Sequence, residues 1–299
     1  MGDMDITRNA AETTMEDRHE EDLAILKRLR LMDDDFMRCV FRGRSDLVQL
    51  VLRAVTGVDS LEVAASETQY DLKWPAGTRS LELDVVATSK DGVRYDLEVQ
   101  CGKDPQPCRL RYHSACLDAE ALRPGEEFGD LPGQWVVFVM EGDPFGEGDG
   151  TYLYERRRGE HALCDGVRLL YVNGSYRGDD ELGRLMHDFN QSDPDEMWPG
   201  PLADGVRYWK RSEEGVRKMC KIIEDMRREE RQRGIDMGIE RGIEQGIEQG
   251  INMGIEQGVE RGVLGSIRSL METTQYSVQE ILGLLKVPKD DQARYLAML

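Results

Sequence analysis

The stretch LELDVVATSKDGVRYDLEVQ, Leu81 to Gln100, decides how this chain is read. Apolar and polar residues alternate on both sides of Lys90-Asp91-Gly92, the period of two that marks half-buried strands. Leu81, Leu83 and Val85 fall on one face with Val93, Tyr95, Leu97 and Val99, and four acids, Glu82, Asp84, Asp96 and Glu98, fall on the other. The turn sets the register. A two-residue Asp-Gly loop would pair Lys90 with Val93 and put Asp84 and Glu98 on opposite faces. A three-residue loop, Lys90-Asp91-Gly92, places glycine where the common type I turn with a bulge needs a left-handed residue. It pairs Ser89 with Val93 and sets Asp84 across from Glu98, with Cβ atoms about 4.5–5.5 Å apart. Like charges at that spacing repel, so either the acids line a solvated outer face or they share a cation.

Outward from the hairpin, SDLVQLVLRAVTG (Ser45 to Gly57) reads as a helix with Ser45 as N-cap, Leu47, Leu50, Val51 and Ala54 on one face and Gly57 just past its end. LEVAAS from Leu61, WVVFVM from Trp135, TYLYER from Thr151 and VRLLYV from Val167 read as further strands, with a helix between Arg109 and Leu122. A leading helix, strands, an inner helix and more strands predict an α/β core. Residues 1–22 are polar, acidic and aperiodic, the composition of a disordered tail.

The 299 residues, 39% of them apolar, suffice for one large domain with a smaller appendage. The longest apolar run, Trp135–Met140, is far short of a membrane span, and the N-terminus lacks a basic-then-apolar signal, so no membrane association and a cytoplasmic address are expected. Six cysteines without CxxC spacing or partnered histidines signal neither a zinc site nor a disulfide framework, and are read as reduced, mostly buried thiols. A net charge of −19 opposes sequence-independent binding to nucleic acid, which draws on Lys and Arg displacing counterions from phosphates. The charge is uneven. Residues 1–35 hold eleven acids and five bases, −6, whereas residues 206–233 hold six acids and ten bases, +4.

An Asp on one strand, a loop, and Glu-x-Gln on the next, after a leading helix, resembles the PD-(D/E)XK nuclease superfamily, and within it the branch of recombination-promoting nucleases and putative transposases. The likeness is carried by DDDFMRCVF (Asp33 to Phe41), the Leu81–Gln100 hairpin, RLRYHSACLDAEALRPGEEFGDLP (Arg109 to Pro132), VVFVMEGDPFGEG (Val136 to Gly148) and the GIEQ repeats, in order over residues 30 to 299. The resemblance implies a restriction-endonuclease-like core, a mixed central sheet flanked by helices, over residues 23–205 with a C-terminal helical extension. It implies that Asp84 and Glu98 are metal-binding acids, with the Val99 carbonyl as a further ligand by position, and that DNA is the partner. Oxygen ligands of this kind suit Mg²⁺, with Mn²⁺ as a substitute. Gln100 stands where the wider superfamily has Lys. Glutamine orients water by hydrogen bonding but has no cationic charge and is no base at neutral pH, so Lys103, Arg109 and Arg111 are candidates for the missing charge. Asp35 and Asp46 are both candidates for a third ligand. Glu82 and Asp96 read as supporting or solvated acids, and His113, without a Ser or Cys partner, as a structural histidine.

Beyond residue 205 the chain divides into a charged helix over 206–233, a repeat over 234–264 and a small helical hairpin over 265–299. From Gly234 to Gly262 glycine recurs every fourth residue, eight times, each followed by Ile or Val. Each four-residue step turns a helix by about 400°, so the apolar stripe drifts by about 40° per repeat. Eight helical glycines cost about 8 kcal/mol relative to alanine. The repeat is therefore either a self-association helix, in which glycine permits close approach, or a conditionally helical spacer. SVQEILGLLKVPKDDQARYLAML predicts a capping box of Ser277 and Glu280 and two short helices divided at Pro288. Asp290 and Asp291 make the second helix a poor reader of DNA, and a packing hairpin is the better expectation. The expected function is a metal-dependent DNA endonuclease, the alternative a nuclease fold kept as an interaction or assembly module.

Overall fold

A computed structural model describes residues 15–72, 81–102 and 104–299. Among them lie helices α1 (Met15–Arg28), α2 (Asp34–Phe41) and α3 (Ser45–Thr56), then strands β1 (Val63–Leu72), β2 (Leu81–Ser89) and β3 (Arg94–Gln100). After α4 (Pro107–Ala121) come β4 (Gln134–Met140), β5 (Thr151–Tyr154), a two-stranded ribbon of β6 (Arg157–Arg158) and β7 (His161–Ala162), and β8 (Val167–Asn173). Helices α5 (Glu181–Asn190), α6 (Pro201–Arg211), α7 (Glu213–Thr273), α8 (Val278–Leu284) and α9 (Lys289–Ala297) complete the chain. No helix among the described residues is long and apolar enough to cross a membrane.

The sheet is mixed, in the order β1-β2-β3-β4-β8-β5. Strands β1, β2 and β3 are antiparallel neighbours, β3, β4 and β8 run parallel, and β5 returns antiparallel to β8. The apolar run in β4 follows from its central place, since a strand covered on both faces needs no alternation. Trp135, Val137 and Val139 enter a core with α2, α3 and α5, and Val136, Phe138 and Met140 enter a second core with Leu110, Cys116 and Leu117 of α4. The expected α/β class is therefore found, with helices on both sheet faces.

Several expectations are corrected. Helix α1 begins at Met15, inside the segment read as a tail, because Asp22 and Leu26 face inward; residues 1–14 lie outside the described residues. The N-cap of α3 is Arg44, and Ser45 instead shares a 2.7 Å hydrogen bond with Ser66. The buried face of α3 is Leu47, Val48, Val51, Leu52 and Val55, two residues wide per turn. Of the cysteines only Cys39 and Cys116 are buried, while Cys101, Cys108 and Cys164 are exposed. The charged stretch after residue 205 is broken at Ser212, between α6 and α7.

The chain forms two compact units, one up to Glu224 and one from Asp225. In the first, Lys210 ties three segments together. Its Nζ donates to the carbonyls of Lys27 (3.2 Å), Leu29 (2.6 Å) and Ser192 (2.6 Å) and sits 5.3 Å from the centre of the Phe36 ring. Burial pushes its pKa down to about 8. Lys210→Met keeps the stem and strands the carbonyls, and is expected to cost about 2 kcal/mol, read as a lower urea midpoint at unchanged slope. In the second unit, Ser277 and Glu280 form the expected capping box, and Ile281, Leu282, Val287 and Tyr295 close over Ile267 of α7. The eight repeat glycines lie within one continuous helix, and a Cβ built on any of them meets nothing within 4 Å among the described residues beyond the helix's own nearby backbone.

Candidate functional site

The hairpin has the predicted register. Ser89 N–H donates to the Val93 carbonyl (2.9 Å), Val85 faces Leu97 and Val86 faces Asp96. Gly92 has φ +86°, as the three-residue turn requires. The regular pairing of β2 with β3 stops at Val85, and the strands fork there. Opposite Asp84 on β1, Gln69 has φ +58°, and the facing of β2 changes at this point. Leu83 joins the core of α4 while Val85 joins the opposite core, which corrects the single core face read from alternation.

The fork is where the acids meet. Asp84 N–H donates to Glu98 Oε1 (2.8 Å), and Val99 N–H donates to Asp84 Oδ2 (3.2 Å). Each carboxylate thus satisfies a backbone donor that the ladder has released, which orients both side chains. A solvated outer face is excluded for three of the four acids: Asp84 is 8% exposed, Asp96 0% and Glu98 1%, and Glu82 is the exposed one. Helix α4 covers Asp96 and Glu98, so these acids sit in an interior.

Burial sets their protonation. It pushes Asp84 up to about 6 against the pull of Arg38, and Asp96 up to about 8. Glu98 is raised well above its ordinary value by burial, then by Asp96 and Asp84. Burial likewise lowers His113. The basic side chains reach the acids loosely: Arg38 Nη1 lies 3.7 Å from Asp84 Oδ1, and Arg109 Nη2 lies 3.4 Å from Glu98 Oε2. Oxygen donors with incomplete compensation fit a bound divalent cation, since buried carboxylates need a partner of opposite charge.

Around this pair the other candidates sort by contact. Gln100, at the end of β3, accepts a 2.5 Å hydrogen bond from Arg109 Nη1 and donates to the Val99 carbonyl (3.2 Å). Arg109 also stacks 5.4 Å from the centre of the Phe138 ring. Arg109 is therefore the candidate cation that reaches Gln100 and Glu98 together; Arg111 is exposed, and Lys103 lies outside the described residues. Asp35 approaches Asp84 through Arg38, which pairs with Asp35, with Glu82 (2.8 Å) and with Asp34 (3.5 Å). Asp46 is held by Arg44 in a two-pronged contact of 2.8 and 2.7 Å on the exposed side of α3. His113 Nδ1 lies 2.8 Å from Asp96 Oδ2, both fully buried.

Arg38 escaped the sequence reading, and so did the contact between Asp96 and His113, which were read separately as a supporting or solvated acid and a structural histidine. Arg38 carried a signal in its spacing, three and four residues after Asp35 and Asp34 on a short helix. Asp96 and His113 carried a weaker one: His113 follows Arg109 by four, which puts both on one face of α4. No protein-family model, no curated protein and no solved structure matches the chain.

Proposed function

We propose that this chain is a metal-dependent DNA endonuclease working in the cytoplasm, with Asp84 and Glu98 holding Mg²⁺ or Mn²⁺. The observation that carries this reading is the buried Asp84–Glu98 pair at the hairpin fork, oriented by reciprocal backbone hydrogen bonds and only loosely met by arginine. The bound ion supplies Lewis-acid polarisation of a phosphodiester and lowers the pKa of water. Gln100, braced by Arg109, has a remaining carbonyl lone pair with which to orient water, and Arg109 supplies the positive charge that glutamine lacks. Arg38 and Arg109 flank the pair and suit phosphate oxygens, which guanidinium groups bind in pairs. A role in recombination or transposition rests on the resemblance of the hairpin, the DDDFM stretch and the GIEQ repeats to that nuclease branch.

The test is cleavage of supercoiled plasmid with Mg²⁺ or Mn²⁺, comparing wild type, Asp84→Ala and Glu98→Ala, with chelator as control. Nicking that is lost in both variants and with chelator supports the reading; an intact plasmid, or equal cutting by all three, sinks it. Arg109→Met is expected to lower kcat/KM roughly hundredfold, on the scale of losing one preorganised donor at a reacting centre. A second reading, a nuclease fold serving assembly, is favoured by the repeat in α7, where Ile239, Ile243, Ile247, Ile251 and Ile255 are all more than half exposed. Self-association through the C-terminal helices belongs to either reading, and sedimentation of the intact chain against a variant with these isoleucines changed to Gln distinguishes dimer from monomer.

A further inference from the structure

We infer that Asp96, Glu98 and His113 form a second cation site, chemically distinct from the Asp84–Glu98 pair, that takes a divalent transition ion through one imidazole and two carboxylates. Asp96 and Glu98 are two residues apart on β3 and share a face, and His113 comes down on them from α4. One ligating atom from each of the three lies within 4.8 Å of the other two. The three are 0%, 1% and 0% exposed.

A plain Asp96–His113 hydrogen bond explains part of this cluster only. It uses one atom of each residue and leaves Asp96 Oδ1 and His113 Nε2 buried with no hydrogen-bond partner among the described residues. It also leaves the Asp96 carboxylate beside Glu98, whose nearest guanidinium, Arg109 at 3.4 Å, is engaged with Gln100 as well. A buried polar atom without a partner is costly. A cation shared by the three resolves the carboxylate repulsion. The 2.8 Å between His113 Nδ1 and Asp96 Oδ2 also suits two ligands at right angles on one six-coordinate ion, where bonds of about 2.0–2.2 Å place neighbouring donors roughly 3 Å apart. When Nδ1 binds the ion the single ring proton sits on Nε2, the neutral tautomer that leaves the Nδ1 lone pair to the metal. Imidazole nitrogen favours Zn²⁺, Fe²⁺ or Co²⁺ over Mg²⁺, and Mn²⁺ tolerates the mixed set. Glu98 is common to both sites, so an ion here also fixes the orientation of a hairpin acid.

This site requires no DNA cleavage and is tested without it. The chain carrying Asp84→Asn, freed of metal by chelator, is titrated with Mn²⁺ and Co²⁺. Pulsed EPR of bound Mn²⁺ is expected to show coupling to a nitrogen nucleus, and Co²⁺ to develop visible ligand-field bands. Adding His113→Asn, whose amide can still donate to Asp96, is expected to remove the nitrogen coupling and weaken binding roughly tenfold or more. Wild-type chain gives the same nitrogen signal if the site is as described, which guards against a variant that folds poorly. Binding without nitrogen coupling, binding unaffected by His113→Asn, or no binding in wild type or Asp84→Asn overturns the inference. Plasmid cleavage in wild type stands or falls separately.

Discussion

Glu98→Gln is expected to lower metal-dependent cleavage roughly a thousandfold and, in the same protein freed of metal, to raise the melting temperature. The first effect follows from the loss of an anionic ligand, where several kcal/mol of charge stabilisation is at stake and about 4 kcal/mol equals a thousandfold. The second follows from the interior that α4 creates. Glu98 is 1% exposed beside Asp96 and Asp84, and all three carboxyls have raised pKa values through burial. A carboxyl whose folded pKa is raised binds more protons in the native than in the unfolded chain, so stability falls as pH climbs from about 4 toward the folded values, about 6 for Asp84 and about 8 for Asp96. Glutamine keeps an oxygen for the Asp84 N–H and removes one charge from the group. The gap between variant and wild type in EDTA should therefore be small at pH 5 and reach about 1 kcal/mol, or 2–4 °C, at pH 8. Melting curves at the two pH values check it. A variant less stable than wild type at pH 8 would show that the ionised glutamate is a net stabilising element without metal.

Gly174→Ala is expected to cost at least about 3 kcal/mol and to lower the melting temperature by roughly 6–12 °C. Gly174 follows β8, and a Cβ there would stand 2.1 Å from the Met140 carbonyl oxygen and 3.3 Å from that of Glu141. Neither oxygen belongs to a side chain that can swing away. Met140 pairs with Asn173 in the ladder, and Gly174 N–H itself donates to the Met140 carbonyl at 2.9 Å. The damage reaches the site, because Glu141 N–H bonds the Gln100 carbonyl (3.0 Å) and so couples the end of β4 to the end of β3. Gly133→Ala is the control. Its nearest neighbour lies at 3.5 Å, ordinary contact, and thermal unfolding should move by less than about 1 kcal/mol.

Much of the strand pattern was legible because local chemistry dictates it. The Lys90-Asp91-Gly92 turn set the hairpin register through a single left-handed glycine as far as Val85 opposite Leu97, whereas Asp84 and Glu98 meet beyond that ladder, at the fork. The break in facing at Asp84 was not legible, since it accompanies positive φ at Gln69, a residue whose type gives no warning. The burial of the acids was hidden for a different reason. Helix α4 covers Asp96 and Glu98 with a buried face of Leu110, His113, Ser114, Cys116 and Leu117, which has only two large aliphatic residues, so its sequence looks solvent-facing. Arg38 and Asp35 illustrate a third limit: their pairing shows in the spacing of α2, but the reach of Arg38 to Glu82 and Asp84 depends on where that helix lies on the sheet.

The bare glycines of α7 also set a clock. From Gly234 to Gly262 no atom among the described residues, the helix's own nearby backbone apart, comes within 4 Å of any glycine's missing side chain, and the isoleucines of the repeat lie open to solvent. Its backbone amides are guarded by local helical hydrogen bonds, weakened by about 1 kcal/mol at each glycine. Those of β3 and β4 lie in the middle of a doubly covered sheet and open only with the first unit as a whole. Deuterium should therefore enter the repeat within seconds to minutes while the sheet still holds its protons, dividing one continuous polypeptide into a fast-exchanging rod and a slow-exchanging core.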